Sequence, residues 1–251
     1  MKLKFSVVIP LLNEADCLAE LWRRLQEPLQ SLGVDIEVLF VDDASTDDTW
    51  ARIQGLRAKD PRVKGVRLAR HAGHQVAFFV GFQEATGEAV ITLDGDLQHP
   101  PEKIPDFFPF WQGGADLVYG FKTEQAGRSW LKKALNRLFH KLLSLRTGLE
   151  LHPETSDFQM LDRSLVERIR QTWRPPIFLR GWIHSLAQRR SGIPFRAERR
   201  FSGRTKQKLI RLCGIGLYSL LSFPSDSEWK SLRQVSPREA SAGYSVLERL
   251  G

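Results

Sequence analysis

The chain has only two cysteines, Cys17 and Cys213, far apart and without metal-site spacing. That argues against a disulfide framework or a zinc site and suits a reducing compartment. No apolar run reaches the ~18 residues that a membrane-crossing helix needs. The longest candidate, Leu212 to Phe223, is too short. The strand-like run after Met1 is broken too early by Pro10 to be a signal peptide. There is no G-x-G-x-x-G sequence and no P-loop lysine, which disfavours dinucleotide cofactors and P-loop phosphate chemistry. RNP, helix-turn-helix and zinc-finger patterns are also missing, so no nucleic-acid partner is expected despite the basic charge.

What is present fits one globular unit with appendages. The 251 residues, 42% of them hydrophobic, are enough to bury a full core. The net charge of +8 hides an asymmetry. Residues 1–120 carry 12 Lys and Arg against 18 Asp and Glu, a net of −6, whereas residues 121–251 carry 25 against 11, a net of +14. Two surfaces with different partners follow. By composition alone the basic half suits nucleic acid, an anionic membrane or a phosphorylated substrate.

The first 120 residues alternate between apolar runs and helical spacing. Strands are expected at Phe5–Ile9, Ile36–Val41, Val63–Leu68, Ala89–Leu93 and Asp116–Tyr119. Helices are expected from Asp16 to Leu32, with Pro28 as a kink or break, from Thr46 through Leu56, over His74–Ala85 and from Pro101 to Trp111. Continuous apolar strands separated by helices indicate an α/β fold with a mostly parallel sheet covered on both faces. Ligands of such sheets bind beyond the carboxyl ends of the strands.

Polar clusters stand at four successive strand ends: Pro10, Asn13 and Glu14; Asp42, Asp43 and Ser45; Arg70, Gly73 and His74; Asp94, Asp96 and Gln98. Singly, each reads as an ordinary turn. Together they describe a ligand site on one rim. Asp94 and Asp96 flank Gly95 just past a strand, a spacing that lets two carboxylates converge on one hard divalent cation shared with substrate phosphates. The same residues also fit a capped strand-to-helix turn.

Three of these blocks, Val8–Glu14, Val41–Thr49 and Asp94–Glu102, resemble the signatures of the family 2 glycosyltransferases. The resemblance is nearest to the dolichyl- and undecaprenyl-phosphate sugar transferases. Ser156–Arg163, Phe178–Gly181 and Arg200–Lys206 resemble that family's later blocks, so the similarity covers roughly residues 5–223. It implies a GT-A fold, a nucleotide-diphosphate sugar donor such as a UDP- or GDP-hexose, Mg²⁺ or Mn²⁺, inversion at the anomeric carbon and a polyprenyl phosphate acceptor.

By the same resemblance Pro10, Leu12, Glu14, Val41 and Asp43 hold the nucleoside. Asp94, Asp96 and Gln98, around Gly95, hold the metal on the diphosphate, and Asp96 counts among the catalytic residues. Asp157 stands at the position of the family's catalytic base. A phosphate monoester is already mostly ionised near neutral pH, however, so Asp157 also fits an orienting role. Lys122, Arg128, Arg200 and Lys206 are the cations expected to clamp two anionic substrates. Lys122 departs from the family's more usual arginine, and 183–194 depart from a frequent Trp-x-Gly pattern.

Two segments suit a membrane surface. Trp130 to Leu149 places Leu131, Leu135, Leu138, Phe139 and Leu142 at helical spacing among lysines and arginines, and Lys206 to Phe223 is basic first and apolar afterwards. Packing onto the sheet is the competing role for both. The expected organisation is a catalytic domain over 1–205, an amphipathic interface helix over 206–224 and a polar tail over 225–251 that is mobile or weakly helical. Many bacterial relatives continue instead into two transmembrane helices. Peripheral attachment at the cytoplasmic membrane face is therefore expected, with a homo-oligomer left open. The competing functions are sugar transfer to a soluble glycan, protein or other lipid, and a catalytically silent protein that binds anionic surfaces.

Overall fold

The computed structural model of the protein describes residues 3–123, 151–152, 154–173, 178–198 and 245–251, together with 138, 141, 142, 144 and 145. In chain order the elements are β1 (Lys4–Leu11), α1 (Ala15–Ser31), β2 (Asp35–Asp42), α2 (Thr49–Lys59), β3 (Val63–Leu68), α3 (His74–Glu84) and β4 (Ala89–Thr92). A 3₁₀ stretch (Pro101–Phe107) leads into α4 (Phe108–Gln112), followed by β5 (Leu117–Lys122), β6 (Thr155–Asp162), α5 (Arg163–Thr172), α6 (Leu179–Leu186), β7 (Arg190–Phe195) and β8 (Val246–Leu250).

The eight strands form one sheet in the order β7-β5-β6-β4-β1-β2-β3-β8. β4, β1, β2 and β3 run parallel, as do β5 and β7, while β6 and β8 are antiparallel to their neighbours. Side chains alternate across the sheet with period two. Phe5, Val7, Ile9 and Leu11 pack with Leu18, Leu21 and Leu25 of α1. Val8, Leu39 and Val41 pack on the other face with Phe78, Phe79 and Phe82 of α3. Helix α3 is apolar on nearly every side because it lies between the sheet and α5. Gly81 is what lets it approach: a Cβ there would stand 2.1 Å from Val8 Cγ1.

The elements expected in the first 120 residues are all found; α2 starts at Thr49, three residues later than expected, and other differences trace to proline. β1 runs through Pro10 to Leu11, because Pro10 faces β4, which has already ended at Thr92, and the missing N–H costs no ladder bond. Pro28 does not break α1, since it stands in the last turn and forfeits only one bond. Pro101–Trp111 is not a continuous α-helix; Pro105 and Pro109 remove donors, and 3₁₀ geometry takes over the first seven residues.

The tail requires a correction. A tail mobile or weakly helical over 225–251 does not hold at its end, where Val246–Leu250 is a strand on the edge of the sheet beside β3. Its β-branched and leucine residues find an unpaired edge there, which local composition does not disclose. The Lys206–Phe223 segment, most of Trp130–Leu149 and 225–244 lie outside the described residues.

Candidate active site

The loops after β1 and β2 are stitched together by the polar residues that mark them. Asn13 N donates to Ser45 Oγ at 2.9 Å, and Thr46 N donates to Asn13 Oδ1 at 2.8 Å. Asp47 accepts from Ala15 N and from Thr49 N, so one carboxylate caps the starts of both α1 and α2. Asn13, Ala44 and Leu97 are the described non-glycine residues with positive φ, at 53°, 59° and 62°. Each lies in a loop past a strand end on this rim, where backbone strain collects at functional sites.

Asp43 is buried, and its carboxylate organises the loop after β3. Ala72 N donates to Oδ1 at 2.7 Å and Gly73 N to Oδ2 at 2.9 Å, with His71 Nδ1 2.8 Å from Oδ2. Glu14 Oε2 accepts from Cys17 Sγ. The Val41 side chain lies wholly in the core below the rim, next to Pro10 in the ladder.

Asp94 follows β4 directly. β6 runs antiparallel beside β4, with Gln159 opposite Thr92, so Asp157 arrives at the same rim. Thr92 Oγ1 donates to the Asp157 carbonyl at 2.6 Å and fixes that placement. His74 completes the group from the first turn of α3. Its Nε2 is 3.1 Å from Asp94 Oδ1 and 3.7 Å from Asp157 Oδ2. One ligand atom from each of the three lies within 4.8 Å of the other two. Asp94 Oδ1 is buried, and its close polar neighbour is the charged His74 ring. A buried carboxylate oxygen, a second carboxylate and an imidazole nitrogen form a donor set that fits a divalent cation, provided the cation displaces the proton that His74 otherwise carries.

Charge in this cluster is set by its neighbours. Burial raises the Asp94 pKa, but the histidines beside it more than offset that and lower it to about 2. Of the two, His74 carries the charge near neutral pH, because His99 is neutral. Burial lowers the His99 pKa, and its Nδ1 accepts from Asp94 N at 3.0 Å, which leaves the proton on Nε2. His99 is stacked on Phe158, 5.4 Å between centroids, and thereby positions the Asp94 backbone. Burial likewise raises Asp157, and the Arg180 guanidinium reverses this and holds it well below the usual carboxylate range. Arg180 grips it with two bonds, Nε to Oδ1 at 2.8 Å and Nη2 to Oδ2 at 2.7 Å. Desolvation against the rim pulls His74 down, but the two carboxylates outweigh it and raise its pKa to about 10, although half the side chain stays exposed.

Asp96 lies outside the three-residue group. Its Oδ1 accepts from Gln98 N at 3.1 Å, closing a tight turn, and the Gln98 carbonyl accepts from Glu198 N. The turn through Leu97 at positive φ thus gives the two aspartates different partners. Gly95 lets the turn lie close against β1: a Cβ there would stand 2.3 Å from Leu11 Cδ2, which would have to move. Leu12 and Lys122 occupy the rim half-buried, Lys122 at the end of β5 with its charge felt by His99. Arg128, Arg200 and Lys206 lie outside the described residues.

His74 was visible among the rim residues but carried no assigned role. His99 and Arg180 were not singled out, although both stand inside quoted blocks. A histidine or arginine within a motif was the available signal.

Comparison with known proteins agrees with this architecture. The model of "Glycosyl transferase family 2" matches residues 6–170. An uncharacterised glycosyltransferase of Synechocystis sp. is 34% identical over 89% of this chain and 70% of its own length. The prophage bactoprenol glucosyl transferase homolog of Escherichia coli is 28% identical over 88% and 72%. Among solved structures, the glucosyl-3-phosphoglycerate synthase of Mycobacterium tuberculosis in complex with phosphoglyceric acid has a TM-score of 0.57 at 22% identity, covering 88% of this chain and 81% of that one. The Pyrobaculum calidifontis mannosyltransferase in complex with GDP-Man and Mn²⁺ has a TM-score of 0.54 at 21% identity, covering 77% and 55%. The fold is GT-A, and the chain is a glycosyltransferase belonging to family 2.

Proposed function

We propose that this enzyme moves a hexose from a nucleotide-diphosphate sugar to a polyprenyl phosphate, with inversion, in a Mg²⁺- or Mn²⁺-dependent reaction at the cytoplasmic membrane face. The observation that carries the reading is the convergence of His74, Asp94 and Asp157 on one point of the rim. The similarity to bactoprenol glucosyl transferases supports the lipid acceptor.

His74, Asp94 and Asp157 would hold the cation, with Asp96 and Gln98 facing the diphosphate from the adjoining turn. An imidazole among the donors favours Mn²⁺ over Mg²⁺. The bound cation would stabilise charge on the departing nucleotide diphosphate. Pro10, Leu12, Glu14 and Asp43 frame the nucleoside, with Val41 acting only from the core beneath them, and Gly95 keeps the carboxylate turn against β1. Lys122, with Arg128, Arg200 and Lys206, supplies positive charge for two anionic substrates.

The acceptor phosphate oxygen attacks the anomeric carbon as the bond to the diphosphate oxygen breaks. That oxygen is already ionised, so no proton has to be removed. Asp157, depressed by Arg180, is a poor proton acceptor and serves to orient His74 and the acceptor.

Peripheral membrane contact is supported by Leu138, Leu142 and Leu145. These helical positions one turn apart are 52%, 43% and 75% exposed, with Lys141 exposed among them. Among the described residues no helix is long and apolar enough to cross a membrane.

The test is transfer from individual UDP- and GDP-hexoses to a short polyprenyl phosphate in the presence of Mn²⁺. A sugar-phosphate lipid is the expected product. Transfer to soluble acceptors alone would overturn the lipid assignment.

A further inference from the structure

The C-terminal strand does more than cover a sheet edge. Leu68 and Arg67, the last residues of β3, pair with Val246 and Glu248, and a register irregularity leaves Leu247 as an extra, exposed residue between them. Bulges of this kind re-aim side chains beside functional sites. One residue further on, Ala69 N donates to the Ser245 carbonyl at 2.9 Å. The loop that begins there, Arg70 to Gly73, is the one whose far end is fastened to Asp43. Thus β8 holds one end of the loop and a donor-site aspartate holds the other.

A second connection runs through side chains. Glu248 Oε2 accepts from Trp50 Nε1 at 2.9 Å, and Oε1 accepts from Gln54 Nε2 at 3.3 Å. The Trp50 ring lies under the Arg67 guanidinium, 5.8 Å from its centroid. Arg67 in turn stands 3.2 Å from the buried Asp42 Oδ2 and donates to the Ser45 carbonyl at 3.3 Å. Asp42 Oδ1 accepts from Ser45 N, closing the turn that carries Asp43 and the strained Ala44. Glu248 is therefore linked through Trp50 and Arg67 to the turn that aims Asp43.

We infer that β8 is a positioning element for the nucleoside half of the donor site, acting through Ser245 on the 70–73 loop and through Glu248, Trp50 and Arg67 on the Asp42–Ser45 turn. The inference rests on the donor-site reading above. Through these links the tail bears on nucleotide affinity and not on the chemical step.

The experiment uses the full chain and measures the Kd of UDP and of GDP with Mn²⁺ by calorimetry, together with KM and kcat for the nucleotide sugar. Coupling through such a network is worth a few-fold to about thirtyfold in affinity. Glu248→Ala is expected to raise Kd and KM within that range while kcat changes less than about twofold. Glu248→Gln, which keeps an acceptor for Trp50 Nε1, is expected to recover most of the affinity. Val246→Pro is expected to weaken binding further, and an added peptide of residues 244–251 to restore it by strand addition. A purely structural edge strand would lower the melting temperature and leave Kd and KM of folded protein untouched. Unchanged Kd and KM in Glu248→Ala would overturn the inference, even if Val246→Pro fails to fold. Should the unsubstituted protein bind neither UDP nor GDP, the donor-site reading itself fails, and the inference with it.

Discussion

Asp157 is gripped by both nitrogen edges of one guanidinium, and this limits its chemistry. A carboxylate so paired orients better than it deprotonates. Lysine offers a single point charge in place of the fork, so Arg180→Lys is expected to reduce kcat/KM about tenfold or more, read in steady-state assays. Undiminished turnover would remove Arg180 from the site. Gly95 permits a separate check. The methyl of Gly95→Ala collides with Leu11 Cδ2, and a loss of about 1–3 kcal/mol is expected in denaturant unfolding. At this scale Asp157 came only from the resemblance, whereas the rim position of Asp94 and Gly95 was legible, because both follow an apolar strand in a short motif. His74, His99 and Arg180 were not, since their roles depend on where α3, β6 and α6 meet.

Among elements, the parallel strands were legible because each is an apolar run with turn residues behind it. β6 was not read as a strand, although Thr155–Asp162 carries the acceptor-side block. An antiparallel strand inserted between β4 and β5 pairs across a long sequence separation, and no local pattern announces that. β8 escaped notice for the same reason. The three strands β1, β2 and β3 are also tied by a buried charge. Glu37 lies 2.8 Å from Lys4 Nζ and 2.9 Å from Lys64 Nζ, and accepts from Ser6 Oγ and Thr86 N. Burial raises its pKa, but these partners outweigh that and lower it to about 2. Removing the charge strands two lysines at the sheet. Glu37→Leu is expected to cost about 3 kcal/mol, measured by urea unfolding.

For the whole molecule, the depressed groups set the pH dependence of stability. His184 is buried beside Gln159, and burial with Arg190 and Arg180 lowers its pKa to about 3, against an ordinary 6.5. Between those values the unfolded chain takes up a proton that the folded chain refuses. Its contribution is complete above pH 6.5 and is lost as pH falls, by ~1.4 kcal/mol per unit. Glu37 acts in the same direction between its ordinary 4.5 and about 2. The protein is therefore expected to lose stability steadily below pH 6.5, and His184→Asn to flatten the upper part of that slope. A melting temperature independent of pH from 6.5 to 4.5 would contradict this.

His74, Asp94 and Asp157 converge on one point of the rim, and the most direct measurement concerns that point. Free Mn²⁺ is followed by electron paramagnetic resonance while the protein is titrated in the presence of UDP or GDP. The account predicts nucleotide-supported Mn²⁺ uptake by the unsubstituted protein and its loss in Asp94→Asn, with the fold retained by circular dichroism. Equal uptake by both proteins, or none by either, would contradict it.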